Sequence, residues 1–152
     1  MAVVSSPVLD VLRTARFRTF FKTVITGKAI QFVGFSFVDD TDQIQTSRYP
    51  GETAISIAEQ MQLAVDEWEG GIWASGGALD SDKSHWYLID FLWKNGKWRL
   101  ARENDTLAEL RIRDSITGHK VVIDRLEVNE ARTTLGVNQC PSGSMMPQVE
   151  RM

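Results

Sequence analysis

The run Ile30-Gln31-Phe32-Val33-Gly34-Phe35-Ser36-Phe37-Val38 is apolar at odd and even positions alike, and it stops abruptly at Asp39-Asp40-Thr41-Asp42. Successive strand side chains point to opposite faces, so an apolar run on both parities predicts a central strand covered on both sides. Such a strand needs partners. Residues 17–25, rich in aromatic and β-branched side chains, form the predicted first partner, joined through the turn Thr26-Gly27-Lys28. Gln43-Ile44-Gln45-Thr46 is the predicted returning strand beyond the acids.

The rest of the chain alternates helical and hairpin patterns. Apolar residues at Ala54, Ile57, Ala58, Met61, Ala64, Val65 and Trp68 make one helical stripe, predicted to end at Gly70-Gly71. Ser6-Pro7 has the form of an N-cap followed by proline in the first helical position, which predicts a helix over 7–16. A strand is predicted over 84–93, turning at Asn95-Gly96 into Trp98-Arg99-Leu100. A further hairpin is predicted over 110–113 and 120–126 with its turn at Thr117-Gly118, and Leu135-Gly136-Val137 reads as a last short strand. Residues 138–152 are polar and aperiodic and are expected to be a disordered tail. The expected class is α/β in its α+β form: a mainly antiparallel sheet with helices packed on it.

With 152 residues, 43% apolar and 24% charged, the chain has the composition of one globular domain. The single cysteine, Cys140, excludes an intramolecular disulfide framework and a multi-cysteine metal cluster. No apolar run approaches the roughly 20 residues of a membrane span, and the first residues lack a signal-like apolar core, so the expected compartment is intracellular. A net charge of −3 is not the basic footprint of a self-sufficient nucleic-acid binder. The charge is nevertheless blocked: residues 1–35 sum to +4, 36–80 to −8 and 81–102 to +3. An acidic stretch between basic ones suits cations held beside a polyanion, but taken alone it reads first as an ordinary solvated surface.

The paired aspartates carry the chemistry. Two carboxylates about 4 Å apart repel by about 4 kcal/mol at an effective dielectric near 20, so one protonates or a cation neutralises the pair. Magnesium favours such oxygens and keeps waters for substrate phosphates, as two-metal phosphoryl transfer requires. The competing reading is a solvent-facing turn, where aspartate is common and its charge is free in water. Ideal strand geometry points Asp39 and Asp40 to opposite faces, so a shared site needs a turn that re-aims one of them.

Phe37-Val38-Asp39-Asp40 resembles the aromatic-x-Asp-Asp motif of reverse transcriptases, which sits on a hairpin of the palm. Val3-Val4-Ser5-Ser6-Pro7-Val8-Leu9 resembles the helix after the family's glycine-rich template motif. Gly76-Gly77-Ala78-Leu79 with Lys83-Ser84 resembles the next palm motif, and Glu130-Ala131-Arg132-Thr133-Thr134-Leu135-Gly136-Val137 the Leu-Gly element of the primer-gripping hairpin. The ordered likeness spans about residues 3–143 and is nearest to non-long-terminal-repeat-like retroelement polymerases of protists. It implies a palm-like, incomplete sheet over 1–137 and RNA-directed DNA synthesis with Mg2+ or Mn2+. The implied partners are an RNA or DNA template-primer and deoxynucleotides. By position, Asp39 is the implied principal catalytic metal ligand and Asp40 its neighbour. Phe37 would pack beneath the turn at the primer end, Lys83 would stand near the triphosphate, and Gly136 would allow close backbone approach to the primer. The family's earlier aspartate and glycine-rich motifs have no counterpart in these residues. The chain alone is therefore expected to show negligible polymerase activity and to associate, with the missing upstream half as one partner.

Other readings come from other residues. Gly34-Phe35-Ser36-Phe37-Val38 also resembles the aromatic strand of RNA-recognition motifs, which implies a base-stacking module without catalysis. Asp39 and Asp40 separate the two, because a stacking sheet wants neither. An inert retroelement remnant is the third reading. Trp68, Trp86, Trp93 and Trp98 are assigned to core or cross-strand packing, and His85 and His119 to ordinary hydrogen bonding.

Overall fold

The computed structural model describes residues 2–15, 17–37, 40–134, 137–144 and 146–151, a few of them by backbone alone. The architecture is α+β, with mostly antiparallel strand pairs and helices packed against them. The chain runs α1 (Ala2–Thr14), β1 (Thr19–Lys22), β2 (Ala29–Phe32), β3 (Gly34–Phe37), β4 (Asp40–Gln43) and α2 (Ala54–Ala74). It continues through β5 (His85–Tyr87), β6 (Phe91–Lys94), β7 (Lys97–Leu100), β8 (Leu110–Arg113) and β9 (Lys120–Leu126). β10 (Arg132–Thr134), β11 (Val137–Gln139) and α3 (Met146–Arg151) complete it.

Helix α2 organises the packing. Thr53 caps it, its hydroxyl accepting from the Ser56 N–H at 3.2 Å. The helix runs past the predicted stop at Gly70-Gly71 and ends with Gly76 at φ +83°. There the Gly77 and Gly76 N–H groups donate to the Ile72 and Trp73 carbonyls at 3.0 Å each, a Schellman closure. Gly71 stays helical because its missing side chain serves packing: a Cβ there would lie 2.6 Å from Val8 Cγ1 of α1. The glycine marks a close helix crossing rather than a helix end.

Two hydrophobic clusters meet on α2. Ala58 packs with Trp86, Leu88, Leu110, Ile112 and Ile123 of the sheet region, and Trp68 with Val8, Leu12 and Val33. The three-stranded sheet has the order β5-β9-β8, with β5 parallel and β8 antiparallel to β9. Strand β8 lies at its edge, and α2 covers that edge chemically. The Gln62 amide donates to the Arg111 carbonyl at 2.8 Å and accepts from its N–H at 2.7 Å. Two turns on, the Glu69 carboxylate accepts from the Arg113 N–H. Helix side chains thus satisfy alternate backbone groups that a fourth strand would otherwise take.

Several expectations are corrected. The apolar run 29–38 is two strands broken at Val33, not one central strand. Val33 is buried in the helical cluster, whereas Ile30, Phe20 and Phe21 remain about half exposed. A two-stranded ribbon has no second layer, so apolar residues on both parities do not imply cover on both faces. The returning strand begins at Asp40 rather than Gln43, and α1 begins at Ala2, with Pro7 inside the helix. The predicted strand 84–93 divides into β5 and β6, because Leu88 turns into the core and Asp90 caps the next ribbon through the Phe91 N–H at 2.8 Å. The sheet is divided as well: among the described residues no sheet exceeds three strands. The polar segment 138–152 contributes to β11 and α3. The turns at Asn95-Gly96 and Gly118 form where predicted, with φ of 54°, 72° and 71°.

Two substitutions test this packing by urea denaturation. Gly71→Ala is expected to cost about 1–2 kcal/mol through overpacking against Val8, despite alanine's better helix propensity, and Val8→Ala in the same chain to recover part of it. Gln62→Leu is expected to cost about 1–2 kcal/mol, two modest hydrogen bonds to the sheet edge.

Candidate functional site

The acidic motif sits on the β3–β4 ribbon. The register pairs Gly34 with Gln43, Phe35 with Asp42, Ser36 with Thr41 and Phe37 with Asp40. Phe37 and Asp40 are the last paired residues of this antiparallel ladder. Residues 38 and 39 lie outside the described residues, and with them the principal predicted ligand, Asp39. Gly34 permits the tight pairing, because a Cβ there would run into the Asp42 carbonyl. The ribbon is tied to the body at its base: the Ile44 N–H donates to the Val33 carbonyl at 3.1 Å, and the Val33 side chain is buried with Trp68 and Leu12. Across one face, the Thr41 hydroxyl donates to the Ser36 hydroxyl at 3.1 Å.

Strand alternation sets Asp40 and Asp42 on one face of β4, opposite the positions of Phe37 and Phe35. Both aspartates are exposed. Partial burial raises the Asp42 carboxyl above its ordinary range; His85 opposes the rise and the charge of Asp40 adds to it. His85, the first residue of β5, therefore stands within electrostatic reach of the ribbon, and its ring meets Tyr87 edge-on at 5.7 Å. The sequence assigned His85 only to hydrogen bonding. It lies 43 residues from Asp42, and no spacing rule connects them; the fold alone does.

Lys83 precedes His85 in the connecting loop and is largely exposed, with its ammonium 2.8 Å from the Asp80 carboxylate. That contact holds Asp80 below the usual carboxylate range. Gly136 lies outside the described residues. Trp68 and Trp86 are buried as expected, but Trp93 and Trp98, although paired across β6–β7, are 73% and 59% exposed.

Carboxylate oxygens at Asp40 and Asp42 are hard donors, the type a magnesium ion accepts. Among the described residues, no three His, Cys, Asp or Glu side chains stand close enough together to hold a metal ion. The donor chemistry suits such an ion, but the two described carboxylates fall short of a ligand set on their own. Among the described residues, no helix is long and apolar enough to cross a membrane. No family model, no curated protein and no solved structure matches the chain.

Asp42 gives this site a pH signature. A carboxyl raised in the folded state binds protons that the unfolded chain releases, so its contribution to stability falls as pH rises from the ordinary aspartate range through the raised value. Asp42→Asn is expected to be more stable than the parent at neutral pH, with the difference vanishing on acidification. Equal stability of the two proteins in urea at every pH from 3 to 7 would contradict the assignment.

Proposed function

We propose that this chain works in nucleotidyl transfer as part of an RNA-directed DNA polymerase, with the β3–β4 ribbon as the metal-binding hairpin. The observation that carries the reading is the ladder closure at Phe37 and Asp40. The two described ends of the motif Phe37-Val38-Asp39-Asp40 are paired on antiparallel strands whose base is rooted in a buried core, which supports the reading. A strand end held in that way keeps carboxylates at a fixed position, which a metal site needs.

In this reading Asp39 and Asp40 hold Mg2+ or Mn2+ with carboxylate oxygens, and Asp42 adds negative potential one position further along the same face. Bound there, a divalent ion supplies Lewis-acid stabilisation of the phosphoryl oxygens. The chain's own residues orient the strand: Phe37 supports the turn at the primer end, and Gly136 allows a close backbone approach. Lys83 reaches the triphosphate only by leaving Asp80. RNA recognition by base stacking on β3 is the weaker alternative, since the register sets Asp42 and Asp40 opposite Phe35 and Phe37, where they repel a phosphate backbone.

Manganese titration followed by amide NMR tests the proposal directly. Paramagnetic broadening is expected to begin at residues 37–42 and to disappear in Asp39→Asn/Asp40→Asn. Broadening that starts elsewhere, or that is uniform over all exposed acids, would overturn it.

A further inference from the structure

The β6–β7 ribbon presents an aromatic surface that the polymerase reading does not use. Its register pairs Phe91 with Leu100, Leu92 with Arg99, Trp93 with Trp98 and Lys94 with Lys97. Phe91, Trp93 and Trp98 therefore share one face, and they are 55%, 73% and 59% exposed. The Phe91 and Trp98 rings meet edge-on at 5.7 Å, which fixes them as a platform. Among the described residues the ribbon pairs with no third strand, and the exposure of these three rings shows that the face is open.

The charge of the ribbon is one-sided. Residues 91–102 contain Lys94, Lys97, Arg99 and Arg102 and no carboxylate. Of the acids that flank the ribbon in sequence, Asp90 accepts from the Phe91 N–H and Asp105 pairs with Arg99 at 2.6 Å, while Glu103 is exposed. Lys94 and Lys97 take part in no ion pair among the described residues. They face each other as the closing pair of the turn, a like-charge juxtaposition that costs stability when nothing neutralises it. By the same alternation Lys94 and Lys97 start from the face opposite the indoles, next to the turn, so their long side chains flank the aromatic face from the ribbon's tip. Exposed indoles in mid-ribbon with ammonium groups at its end match single-stranded nucleic acid, whose bases stack on aromatic faces while its phosphates meet cations. The tip, Lys94-Asn95-Gly96-Lys97, is polar, so the ribbon has no apolar wedge to drive into a lipid bilayer.

We infer that the β6–β7 ribbon binds single-stranded nucleic acid, with Trp93 and Trp98 stacking on bases and Lys94 and Lys97 meeting the flanking phosphates. This adds a strand contact to the proposed function but uses none of its carboxylates, and it needs no divalent ion.

The test is fluorescence anisotropy of a labelled oligodeoxythymidylate of about 12 nucleotides, titrated with the full chain in EDTA. Trp93→Leu and Trp98→Leu are each expected to weaken binding about 5- to 150-fold, while Trp93→Phe, which keeps an aromatic face, retains most of it. Lys94→Ala/Lys97→Ala is expected to flatten the slope of log affinity against log salt by about 1.4, two phosphates' worth for a single strand. These positions are exposed, and an unchanged circular dichroism spectrum verifies each fold. No binding by the parent chain, or binding that none of these substitutions alters, overturns the inference. Trp-dependent binding to phosphatidylserine vesicles without oligonucleotide binding overturns it in favour of a membrane surface. Because EDTA removes divalent ions, failure of the Asp39–Asp40 reading leaves this result unaffected, and the reverse holds too.

Discussion

Helix α2 faces two cores at once, and the rest of the structure depends on that double contact. Its Ala58 side packs against the strands around Trp86, Leu110 and Ile112, and its Trp68 side packs against α1 and Val33. Gln62 and Glu69 then bond the backbone of β8 from the same helix. A three-stranded sheet with a bare edge is a weak structure and an invitation to mispairing. Here a helix supplies both the apolar cover and the missing hydrogen-bond partners. The two functions cooperate, since the hydrogen bonds set the height at which the helix crosses the edge while the apolar contacts hold it there.

The acidic ribbon is positioned by the second of these cores. Val33 is the last residue before β3, and its burial with Leu12 and Trp68 fixes the base from which the ribbon extends. Gly34 follows at once, where only hydrogen fits against the Asp42 carbonyl. Anchor and close approach together hold Asp40 at the ladder's end without burying it. At Asp42, partial burial raises the carboxyl, the charge of Asp40 adds to the rise and His85 opposes it.

The ribbons β1–β2, β3–β4 and β6–β7 are each two-stranded units, and none pairs with a third strand among the described residues. That explains why aromatic residues read as core from their spacing remain at the surface. Trp93 and Trp98 are paired across strands as expected, yet pairing buries only the edges of two indoles. The basic ribbon and the acidic ribbon differ in charge sign but not in architecture, so their chemistry is set by side-chain identity alone.

The local sequence determined the turns, caps and periodicities. Asn95-Gly96 dictated a two-residue turn with positive φ, Thr53 a helix start, and the spacing from Ala54 to Trp68 a helical stripe, because each rests on steric or hydrogen-bond rules that act over a few residues. The acidic break after the apolar run likewise signalled a return of the chain, seen in the pairing of β3 with β4. Only the tertiary structure decided which apolar faces are covered, that Gly71 serves a helix crossing, that the apolar run breaks where Val33 enters the core, and that His85 comes within electrostatic reach of Asp42. Those outcomes depend on which surfaces meet across tens of residues, and burial is a property of the meeting surfaces that neither sequence carries alone.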